Sequence, residues 1–109
     1  MLRLALLLSV CMSCVAHACD EQDAEQDLWG AYQSAWAATD EDYRSLLARA
    51  QGAWLDYREA SCEMNAGRDG STVPEAYDQC RKFMANERVQ ELRLICRTAA
   101  QAVECDAAP

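Results

Sequence analysis

Residues 39–64 read TDEDYRSLLARAQGAWLDYREASCEM, and the spacing within them decides the fold. Tyr43, Leu46, Leu47, Ala50, Trp54, Tyr57 and Ser61 recur three or four positions apart, the period of one face of an α-helix. Arg44, Asp56, Glu59 and Glu63 fall mostly off that stripe. Thr39 is the predicted cap, with Asp42 reaching back in a variant of the capping box. The helix is expected to end near Met64.

The flanks read the same way. Leu28, Ala31, Tyr32, Ala35 and Trp36 predict a helix over 20–38, with Asp20, Glu21, Asp23 and Glu25 crowding the end where the helix dipole favours negative charge. Downstream, residues 65–72 (NAGRDGST) carry turn chemistry. Ser71 or Thr72 can cap a third helix, with Pro74 in its first turn. Tyr77, Cys80, Met84, Arg88, Leu92 and Ile95 carry that helix to about Arg97. No alternating strand pattern occurs. The expectation is all-α, a small antiparallel three-helix bundle.

The first 18 residues read as a secretory signal peptide. Arg3 supplies a positive charge, an apolar run follows from Leu4 to Ala16, and Ala16-His17-Ala18 fits the cleavage rule. The expected domain is residues 19–109, periplasmic or secreted. Without Arg3, nine basic residues stand against eighteen acidic ones, a net charge of −9. That charge disfavours nucleic acid and anionic membranes and favours a basic protein partner.

Seven cysteines are present, and Cys11 and Cys14 lie in the leader. Cys19, Cys62, Cys80, Cys96 and Cys105 remain, and export makes disulfides the default. Cys62 near the end of one helix and Cys80 early in the next can face each other, so Cys62–Cys80 is the preferred staple. Cys96 and Cys105 can pair only if the helix ends between them; otherwise Cys19 takes one of them. An odd thiol leaves room for a disulfide homodimer. Lipidation of Cys19, with anchoring to the envelope, is the alternative, but Ala16-His17-Ala18-Cys19 is a poor lipobox.

Catalytic chemistry finds little purchase. The sole histidine, His17, leaves with the leader, which removes Ser–His and Cys–His nucleophiles. No C-x-x-C pair survives, so no metal is expected, and no cofactor motif occurs. Arg58 and Arg88 lie beside the apolar stripes and are expected to pair with carboxylates, Glu87 and Glu91 being candidates. Trp54 is expected in the core and Trp29 at the surface.

The run Ala50-Gln51-Gly52-Ala53-Trp54-Leu55-Asp56-Tyr57-Arg58-Glu59-Ala60-Ser61-Cys62 resembles the A-Q-x-x-W-x-x-Y/F-R-x-x-x-C pattern of the LprI-type lysozyme inhibitor family, in its N-terminal domain. Gly70-Ser71, Cys80 and then Met84, Arg88, Glu91 and Leu92 fit the continuation, and Leu28 and Tyr32 fit its first helix more weakly. Ala85 and Trp29 depart from the pattern, which carries Thr and Asn there. The family commonly has two N-terminal cysteines, so the single Cys19 would turn to Cys96 or Cys105.

The resemblance implies a non-catalytic inhibitor of a lysozyme-type cell-wall glycosidase. Gln51, Trp54, Tyr57, Arg58, Arg88, Glu91 and Leu92 would be its structural motif residues. A loop clamped by Cys62–Cys80, with Gly67, Arg68, Asp69, Gly70 and Ser71 at its tip, would be a candidate partner-binding element. The alternatives are a structural or accessory envelope domain that binds another protein, and a carboxylate-based wall hydrolase.

Overall fold

A computed structural model describes residues 16–67, 74–99 and 104–105. Within them the chain forms three helices: α1 (Ala16–Ala38), α2 (Glu41–Gly67) and α3 (Pro74–Thr98). α3 packs on both of the others, most extensively on α1. The reason lies in α1's inner face. Ala24, Leu28, Ala31, Ala35 and Ala38 are buried at steps of three and four, and small side chains let two helix backbones approach closely. Ala85, Val89, Leu92 and Cys96 of α3 complete this core, and Leu92 is its largest fully buried side chain.

α1 begins at Ala16 rather than Asp20, so the acidic cluster lies beyond its first turn. α2 runs to Gly67 rather than Met64, which makes Asn65, Ala66 and Gly67 helical. Arg68, Asp69, Gly70 and Ser71, with Thr72, lie outside the described residues.

The corner between α1 and α2 is built differently from the capping box expected. The Thr39 hydroxyl turns back and donates to the Ala35 and Trp36 carbonyls at 3.0 and 3.1 Å. Asp40 is the cap: its Oδ1 accepts the Tyr43 amide at 3.0 Å, and its carbonyl accepts the Arg44 amide. Thr39 is buried, so its hydroxyl closes α1 instead of opening α2. Arg44 locks the corner by donating Nε to the Trp36 carbonyl at 2.8 Å. Asp40→Ala should therefore cost about 1 kcal/mol and lower the melting temperature by about 5 °C. Asp42→Ala should change it little. A capping role for Asp42 would reverse that order in thermal melts.

The α2 stripe corrects the sequence reading. Tyr43, Leu46, Ala50 and Tyr57 are exposed. The face turned inward is Leu47, Gln51, Trp54, Arg58 and Cys62, rotated from the expected stripe and carrying two polar residues. Hydropathy misplaced it because buried Gln51 and Arg58 are held by partners on α3 and α1, which periodicity does not register. Trp54 packs against the core but is only half-buried.

Among the described residues, two disulfides close the frame. Cys62–Cys80 joins α2 to α3 with Cα atoms 5.5 Å apart, as expected. Cys96–Cys105 forms with Cα atoms 5.6 Å apart, and α3 ends between the two residues, at Thr98. That pairing rules out Cys19 as the partner of either residue. The side chain of Cys19 lies outside the described residues.

Candidate functional site

The polar residues inside the bundle form one connected layer. Arg88 of α3 donates Nε to Gln51 Oε1 at 3.0 Å and Nη1 to Glu91 at 2.7 Å. Arg58 of α2 is paired with Glu25 of α1 through a short ion pair. Both guanidinium groups lie over the Trp54 ring, at 5.0 Å for Arg58 and 5.9 Å for Arg88. The electron-rich indole face thus offsets part of the positive charge of two guanidinium groups whose Arg58 Nε and Arg88 Nη2 are buried without an acceptor among the described residues.

Arg81 extends the layer. It lies 2.9 Å from Glu59 and 3.8 Å from Glu25. Glu59 accepts a short hydrogen bond from the Tyr77 hydroxyl, which raises the Tyr77 pKa above its usual value. The layer reaches all three helices and fixes their relative rotation. Gln51, Trp54, Arg58, Arg88 and Glu91 all sit in it, and Leu92 packs beneath in the core. Tyr57 does not, since it points to solvent. Glu91 is the partner of Arg88, while the partner of Arg58 comes from α1, too distant in sequence to be named from spacing.

Outside this layer, α1 and α2 leave a groove of about 350 Å³ between them. It is lined by Leu28, Trp29 and Tyr32 from α1, by Ala48, Gly52 and Leu55 from α2, and by Glu25 and Gln51 where it borders the polar layer. At Gly52 the groove is open space: an added Cβ there would meet nothing within 4 Å. Trp29 is 60% exposed on its rim, as expected. Its ring stacks on Tyr32 at 5.8 Å, and Tyr32 meets Trp36 at 6.0 Å, giving a three-ring ridge along α1. Arg44 lies over the Trp36 ring at 5.6 Å.

The aromatic ridge stands beside an apolar floor, on a chain of pI near 4.5. Sequence spacing named Trp29 as exposed but not the groove, because the groove depends on the rotation of α2. Among the described residues, no group of His, Cys, Asp and Glu could hold a metal ion, and no helix is long and apolar enough to cross a membrane.

A family model described as lysozyme inhibitor LprI matches residues 11–92. No curated protein and no solved structure matches the chain.

Proposed function

The chain belongs to the LprI lysozyme inhibitor family, and from that premise we propose that it is an exported, non-catalytic protein that inhibits a lysozyme-type cell-wall glycosidase by covering its substrate cleft. The family match carries this reading. Two properties of the molecule support it. The net charge of −9 that it carries without the leader steers it to basic enzymes, as many lysozymes are. The Trp29–Tyr32 ridge offers an aromatic anchor at low entropic cost, because its stacking already restrains both rings.

The tip from Gly67 to Ser71 is a second contact in this proposal, favoured by the Cys62–Cys80 bond at its root. Export through the leader 1–18 and residence in the periplasm or outside the cell belong to the same proposal.

The test is the rate at which a basic chicken-type lysozyme degrades cell-wall suspensions, with the exported protein added at two ionic strengths. Inhibition is expected, and it should weaken several-fold between low and physiological salt as the steering is screened. A folded protein that slows no lysozyme class at micromolar concentration would remove the proposal.

A further inference from the structure

α2 carries a second apolar line that the bundle does not cover. Tyr43, Leu46, Ala50, Ala53, Tyr57, Ala60 and Met64 follow one another at alternating steps of three and four without a break. All seven are exposed; Tyr57 stands at 63% and Met64 at 67%. At 3.6 residues per turn, this line lies about 120° around the helix from the inward face of Leu47, Gln51, Trp54, Arg58 and Cys62. Unbroken heptad spacing over four turns or more is the pattern of a helix that pairs with another helix.

We propose that this line packs against the same line of a second copy of the chain, with the two α2 helices antiparallel. The register follows from size and charge. Setting Tyr57 against the partner's Ala53 also sets Ala50 against the partner's Ala60, Met64 against the partner's Leu46, and Tyr43 against the partner's Gly67. Both tyrosines then meet a small residue. The flanking charged positions are Asp42, Arg49, Asp56 and Glu63, all exposed. In this register Arg49 lies opposite the partner's Glu63, and twofold symmetry repeats the pair. Asp56 meets the partner's Asp56 at the dyad, one unfavourable contact against two favourable ones.

A parallel pairing stacks Tyr43 and Tyr57 on their own copies. It also brings no opposite charges together, because the other flank is Leu47, Trp54 and Ser61. A hollow of about 640 Å³ beside the start of the line, lined in part by Tyr43, Leu46, Ala50, Ile95 and Ala99, leaves room for the end of the partner's α2. This surface is distinct from the α1/α2 groove, so the dimer leaves Trp29 uncovered.

Sedimentation equilibrium of the exported protein tests the proposal. A reversible dimer that runs as a monomer on non-reducing denaturing gels is expected. Tyr57→Glu should abolish it with an unchanged far-UV spectrum. Arg49→Glu should weaken it about tenfold, and Arg49→Glu combined with Glu63→Arg should restore it. The proposal is overturned by a protein that stays monomeric up to about 100 μM. It is equally overturned by a dimer indifferent to Tyr57→Glu, or by a covalent dimer lost with Cys19→Ser.

Discussion

Replacing Glu25 by alanine is expected to destabilise the fold by about 3 to 5 kcal/mol, the range seen when one member of a buried ion pair is removed. The size looks out of proportion, because the Glu25 side chain is 37% exposed. Its partner is the reason. The Arg58 side chain is 3% exposed, and its Nε has no acceptor among the described residues. Removing Glu25 therefore strands a charge inside the bundle, with the Trp54 face as its main remaining compensation. Arg81 loses a contact as well.

Replacing Arg58 itself is expected to cost less, because the carboxylate left behind can reach water. Chemical denaturation of Glu25→Ala and Arg58→Ala gives the comparison. If Glu25→Ala proves the milder of the two, Arg58 is not held by this pair.

Trp29→Ala is expected to weaken lysozyme inhibition by about thirtyfold or more, the loss typical of a central aromatic anchor. The fold should hardly register the change, with stability within about 0.5 kcal/mol, because most of the ring faces solvent. Dose–response curves for the variant, checked by a thermal melt, separate the two effects. Arg68→Ala and Asp69→Ala are the informative companions. If they abolish inhibition while Trp29→Ala leaves it intact, the loop tip makes the decisive contact and the groove does not.

Much of this architecture was legible in the residues. Three helical periods, a Gly-bearing connection and two cysteines placed to face each other predict a pinned hairpin, and Cys62–Cys80 forms. The rotation of α2 was not legible. Its sequence carries two apolar lines, one through Leu47 and Trp54 and one through Tyr43, Leu46 and Tyr57. Hydropathy gives more weight to the second.

The bundle selects the first because Gln51 and Arg58 find partners on α3 and α1, and those partners lie 37 and 33 residues away in the chain. Long-range pairing of this kind leaves no periodic trace. The corner was misread for a similar reason. Thr39 and Asp40 are both good caps, and the burial of Thr39 beside Ala35 assigns it to the end of α1. The groove was invisible for as long as the wrong face of α2 was turned inward.

The most direct measurement is a two-dimensional amide and indole N–H spectrum of the isotopically labelled protein, titrated with unlabelled basic lysozyme. The Trp29 indole signal should shift most, together with amides over 26–36 and 48–55. Shifts confined to α3 and the Gly67–Ser71 tip, with Trp29 unmoved, would contradict docking at the groove.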